Sequence, residues 1–88
     1  MPFQVLVHRE AIKALLDLPS EVYPRIYQEI IQLEHEPRSR RASKLKGQED
    51  IWRVRVGRYR LIFHVDDPGL TVTVLRIALR TERTYRGL

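Results

Sequence analysis

Between Ile51 and Phe63 the chain reads I-W-R-V-R-V-G-R-Y-R-L-I-F. Arginine alternates with apolar residues at the period of a β-strand, so successive side chains leave on opposite faces. Gly57-Arg58 interrupts the alternation at its centre. A glycine at the first central position suits a two-residue type II′ turn, and such a turn fixes the register of the hairpin. Val56 then opposes Tyr59, Arg55 opposes Arg60, and Val54 opposes Leu61. One face collects Trp52, Val54, Val56, Tyr59, Leu61 and Phe63, and this face must be covered by the rest of the chain. The other collects Arg53, Arg55, Arg60, Ile62 and His64. Like charges placed opposite each other destabilise a sheet. An arginine cluster of this kind points to a polyanionic ligand, with nucleic acid the first candidate.

The distribution of charge supports that reading. Residues 1–37 hold three basic and six acidic side chains, whereas residues 38–88 hold thirteen basic and five acidic. The formal net charge of +5 therefore hides a polarised molecule with two surfaces suited to two tasks. A merely solvated basic face is the plainer alternative, but such faces usually mix both signs. At 88 residues the chain is expected to be one domain, residues 1–88. It carries no cysteine, hence no disulfide framework and no thiolate metal site, in keeping with a reducing cytoplasm. No apolar run approaches the ~18 residues of a membrane span.

The remaining segments supply the cover. Phe3 to His8 reads as a short strand. Arg9 to Leu18 places Ala11, Ile12, Leu15, Leu16 and Leu18 at helical spacing. Pro19 stops that helix, because a proline pushes the residue before it out of the α region. Ser20 is placed to cap a second helix with Pro24 in its first turn. Its apolar face joins Val22, Ile26, Ile30 and Leu33 to Tyr23, Tyr27 and Ile31, and Pro37 closes it near Glu36. The short connection between the helices makes them an antiparallel hairpin. Arg38 to Ser43 reads as a basic connector without periodicity, and Lys44 to Gly47 as a turn. Strands follow at about Ile51–Val56, Tyr59–Val65 and Leu70–Leu79, with Asp66-Asp67-Pro68-Gly69 as the turn between the last two. The expected fold is α+β, in the order β-α-α-β-β-β. A helical hairpin packs on a twisted, mostly antiparallel four-stranded sheet.

Three or four guanidinium groups on an open concave face would form a phosphate clamp, since arginine's planar fork matches phosphate oxygens and keeps its charge. Arg80, at the end of the last strand, is expected to approach the same surface. Tyr85 follows, where an exposed ring can stack on a base. These are the parts of a metal-independent ribonuclease, in which the RNA's own 2′-OH attacks the adjacent phosphate and fixed positive charge stabilises the developing dianion. The alternative on the same residues is binding without chemistry. His8 and His35 read as structural. His64 shares the arginine face but lies four residues from Arg60, roughly 13 Å along a strand. The carboxylates form no paired site, and no metal or other cofactor is expected. Tyr23 and Tyr27 read as core-edge or partner-contact residues, and Trp52 as a core aromatic.

Taken together, the opening strand, the helical hairpin ending in E-x-P-R, the K-L-K-G turn, the W-R-V-R-V-G-x-Y-R-L-I-F hairpin and the closing L-R-T-E-R-T-Y resemble the RelE/ParE superfamily of toxins from toxin–antitoxin systems, and more closely its RelE branch. The resemblance runs essentially end to end. It implies a cytoplasmic, ribosome-dependent endoribonuclease that cleaves mRNA, with a gyrase inhibitor of the ParE kind as the alternative. It assigns catalytic roles to Arg53, Arg55, Arg60, Arg80 and Tyr85, and RNA-binding roles to Lys44, Lys46, Arg58 and Arg83. It also implies a cognate antitoxin, bound through the tyrosine-bearing helices and the sheet face, and leaves room for operator DNA as a ligand of the toxin–antitoxin complex. RelE proteins often carry lysines where this chain has Arg53 and Arg55. An arginine cannot lose its proton under ordinary conditions, so neither residue can be a general base. Both would act by electrostatics and positioning, leaving proton transfer to Tyr85, the ribosome or water.

Overall fold

The computed structural model describes residues 2–79. Arg80, Arg83 and Tyr85 lie outside the described residues. The elements are β1 (Gln4–Val7), α1 (Arg9–Leu16), α2 (Tyr23–Gln32), β2 (Ala42–Lys44), β3 (Ile51–Val56), β4 (Tyr59–Asp66) and β5 (Thr71–Leu79). The strands form one sheet in the order β1-β5-β4-β3-β2. The first strand pairs in parallel with the last, and the other pairings are antiparallel. The α+β class agrees with the sequence reading, but the sheet has five strands rather than four. The additional strand is β2, inside the stretch read as a connector and turn. Three residues on a sheet edge are too few to establish an alternation, and their pairing with Trp52–Val54 is what makes them a strand.

Each helix is shorter than its apolar pattern. α1 begins where the Nδ1 of His8 accepts the N–H of Glu10 at 3.2 Å, so His8 is an N-cap. Glu10 in the first turn and Lys13 in the last complement the helix dipole. The helix ends at Leu16, before Leu18, with Asp17 as its C-cap. Ser20 does not cap α2. Its Oγ lies 3.3 Å from Glu21 Oε2, while the Pro19 carbonyl accepts from the N–H groups of Val22 and Tyr23, delaying the helix start to Tyr23. At the other end, Leu33, Glu34 and His35 donate to carbonyls three residues back, so the last turn tightens beyond Gln32 and the α-helix stops short of Glu36.

Both helices cover one face of the sheet. Ala11, Ile26, Ile30 and Leu33 meet Val54, Val56, Leu61, Phe63, Val65, Val72, Val74 and Ile77 in a continuous buried core. Trp52 and Tyr59 pack against it, half-buried, and the Arg38 guanidinium sits 5.9 Å from the centre of the Trp52 ring. Arg38 also pairs with Asp67, tying the segment after α2 to the β4–β5 turn. No helix among the described residues is long and apolar enough to cross a membrane.

Candidate nucleic-acid interface

The β3–β4 register is the one expected from the turn: Val56 opposes Tyr59, Arg55 opposes Arg60, and Val54 opposes Leu61. Gly57 has φ +59, as the first position of a type II′ turn requires. Arg53, Arg55, Arg60, Ile62 and His64 thus share the face turned away from the helices. The face is less open than the sequence implies. Arg60 is only 7% exposed and Ile62 is buried beside it, whereas Arg55 is exposed and Arg53 half-buried. Arg60 is thus a buried charge within the cluster, and Arg55, its cross-strand partner, faces solvent.

Two further arginines join the cluster, and neither was singled out from the sequence. The first is Arg76. The β4–β5 ladder pairs Phe63 with Val74 but Ile62 with Arg76, so Leu75 is an extra residue without an opposite partner. A bulge of this kind re-aims the side chains that follow it. Strict alternation from Val72 and Val74 would send Arg76 into the core and Ile77 out of it. With the bulge, Ile77 is buried at 7% exposure and Arg76 is exposed opposite Ile62. Arg53, Ile62 and Arg76 form one row across three strands, and Arg55, Arg60 and Ala78 form the next. With strands about 4.8 Å apart, the Arg53 and Arg76 backbones stand roughly 10 Å from each other.

The second is Arg41, just before β2. Its Nη1 donates to Glu29 Oε2 at 2.7 Å and its Nη2 to the Arg55 carbonyl at 3.2 Å. The Glu29 side chain is 11% exposed and that of Arg41 is 54% exposed, so a nearly buried carboxylate on α2 holds a solvent-facing guanidinium over the edge of the sheet. Arg41, Ser43, Arg53 and Arg55 line a depression of about 290 Å³. Ser43 belongs to this face because it pairs with Arg53. A pocket with three guanidinium walls and one hydroxyl is suited to a phosphate group, which takes forked N–H donors and O–H donors together.

The other sequence candidates separate from this cluster. Lys44 pairs with Trp52 and so belongs to the helix-side face of β2. Lys44 and Lys46 border a shallow depression of about 490 Å³ along the 44–49 turn. Arg58 stands at the hairpin tip beside Arg25, Val22 and Tyr59. His64 is half-buried between Ile51 and Thr73, two rows from Arg60. His8 uses its Nδ1 as a helix cap, and His35 is an exposed neighbour of Glu34. Among the described residues no three His, Cys, Asp or Glu side chains stand together as a metal site.

Comparison with known proteins gives the family of this fold and its basic sheet face. The model for the ParE toxin of type II toxin–antitoxin systems matches residues 5–84. This chain belongs to that family, within the RelE/ParE superfamily, and is a RelE-like toxin of a toxin–antitoxin system. It is 30% identical to RelE1 of Methanocaldococcus jannaschii over 92 residues, covering 99% of each chain. Its fold matches RelE in the archaeal RelE–RelB complex of Pyrococcus horikoshii OT3 with a TM-score of 0.82 and 32% identity, over 93% of this chain and 99% of the other. The RelBE2 toxin–antitoxin complex of Mycobacterium tuberculosis matches with a TM-score of 0.79 and 29% identity, over 91% and 100% of the two chains.

Proposed function

We propose that the toxin, one domain over residues 1–88, is a cytoplasmic, ribosome-dependent endoribonuclease that cleaves mRNA. The supporting observation is the register that pairs Arg55 across the strands with the buried Arg60, with Arg53 in the next row. In this reading the 2′-OH of one nucleotide attacks the adjacent phosphorus, the 5′-oxygen of the next nucleotide leaves and takes a proton from water to become a 5′-OH, and the upstream strand ends in a 2′,3′-cyclic phosphate. The dianion that develops on the phosphorane oxygens is stabilised by Arg60 and Arg55, whose charges are held in place before the reaction begins. Arg53 and the pocket it shares with Arg41 and Ser43 hold a neighbouring phosphate and fix the strand's path. None of these arginines can take the proton from the 2′-OH. That step is assigned to Tyr85, to a ribosomal group or to water, with Arg80 completing the charge around the phosphate and Arg83 contacting the strand beyond. Lys44, Lys46 and Arg58, off the arginine face, would contact the RNA or the ribosome as flanking cations. The solved relatives include RelE–RelB complexes, which supports a RelB-like antitoxin as the controlling partner; operator DNA is the further ligand proposed for the toxin–antitoxin pair.

Primer extension on translated mRNA after induction tests the reading. New 5′ ends are expected with the wild-type chain and are expected to vanish with R55A. The matching family model describes ParE toxins, which keeps gyrase inhibition as the second reading. Arrest with intact mRNA and a loss of DNA supercoiling would select it.

A further inference from the structure

On the opposite side of the sheet, a groove of about 310 Å³ lies between the start of α2 and the β3–β4 tip. That is at the small end of the ~300–1,000 Å³ range of ligand pockets. Val22, Val56 and Tyr59 give it an apolar floor, and Arg25 and Arg58 stand at its rim. Val56 and Tyr59 are a cross-strand pair on the helix side, so the groove and the arginine cluster occupy different faces. Gly57 contributes by lacking a side chain. A Cβ there would lie 3.4 Å from both Nη1 and Nη2 of Arg25, so the guanidinium rests flat against the turn.

Neither arginine of this groove is in an ion pair among the described residues. Among the described residues the ion pairs are Glu34–His35, Arg38–Asp67 and Glu29–Arg41, and none involves Arg25 or Arg58. The first turn of α2 contains no acidic residue, although a helix start favours negative charge. Two cations therefore line the groove without an ion-pair partner among the described residues, over a floor that an ion alone would leave bare. We propose that this groove docks an acidic segment of a partner protein, which inserts one apolar side chain against Val22, Val56 and Tyr59 while its carboxylates pair with Arg25 and Arg58. A forked guanidinium–carboxylate pair fixes direction as well as charge. The apolar floor favours a peptide over a nucleic-acid strand, whose backbone would satisfy the arginines and leave the floor uncovered. Assigning the segment to an antitoxin rests on the proposed function. The groove's preference for an acidic, apolar-anchored peptide does not, because it uses none of the arginine-face residues.

Nitrogen-15 NMR on the full chain tests the proposal with three probes. These are the peptides acetyl-Glu-Glu-Leu-Leu-Glu-Glu-amide and acetyl-Lys-Lys-Leu-Leu-Lys-Lys-amide, and an RNA hexanucleotide. The acidic peptide is expected to give saturable shifts at the Val22, Gly57, Arg58 and Tyr59 amides, weakened about tenfold by R25E and by R58E. Spectra unchanged away from the groove establish that the variants are folded. R25E is expected to keep wild-type mRNA cleavage, so a failed ribonuclease reading and a failed docking reading give different results. No saturable shift with the acidic peptide, an equal response to the lysine peptide, or a stronger response to the RNA would each overturn the proposal.

Discussion

The two faces of the β3–β4 hairpin alternate along the same two strands and obey opposite rules. On the helix side, Val54, Val56, Leu61 and Phe63 are buried with almost no polar content, and their task is packing. On the other side, Arg53, Arg55 and Arg60 alternate with them, and their task is charge. The packed face tolerates changes of identity that preserve volume but no loss of volume. The charged face has the reverse tolerance: stability depends little on its exposed members, and the proposed chemistry depends on them almost wholly.

The largest effect that sharpens the contrast is expected at Phe63, which is fully buried. F63A should cost about 3–5 kcal/mol in chemical denaturation, enough to unfold much of a domain this size. A cost below about 1 kcal/mol would mean that the core is not where the register places it. Next comes the element that joins the two faces, the Glu29–Arg41 pair. R41A strands a nearly buried carboxylate and is expected to cost about 1–3 kcal/mol. The double variant E29Q/R41A should be the more stable of the two, because an amide is cheaper to bury than an unpaired charge. Equal stabilities in urea melts would show that the pair is not coupled.

The bulge gives a smaller and sharper test. Removing Leu75 leaves Val74 inward, Arg76 outward and Ile77 inward, so the deletion is expected to cost only about 1–2 kcal/mol by thermal melting. Global unfolding would contradict the β4–β5 register. The smallest change is expected from R76A. It should leave stability within about 0.5 kcal/mol of wild type. It should also lower the salt slope of single-stranded RNA binding by about 0.7, the share of one lost phosphate contact. An unchanged slope would remove Arg76 from the interface.

The legibility of the sequence follows the same division. The hairpin register was readable because a two-residue turn with glycine leaves one pairing that keeps Val54, Val56, Leu61 and Phe63 together. The helical pair was readable from its apolar spacing, though not its ends. The start of α2 depends on the Pro19 carbonyl, and its finish on three-residue hydrogen bonds that spacing does not encode. Arg76 was hidden because its place depends on one extra residue in β5. Nothing local in that strand says where the slip falls. Arg41 was hidden because its anchor, Glu29, is twelve residues away on α2. The burial of Arg60 was equally out of reach, since alternation gives the face of a residue and not its depth.

The central claim is that the arginine face cleaves RNA through the RNA's own 2′-OH. The most direct measurement uses purified ribosomes programmed with an mRNA carrying a single 2′-deoxyribose at the mapped cleavage position. Cleavage is expected at that position in the all-ribose message with wild-type protein, and to disappear with either the deoxy substitution or R55A. Cleavage that persists at the deoxy position, or at full rate in R55A, would contradict the account.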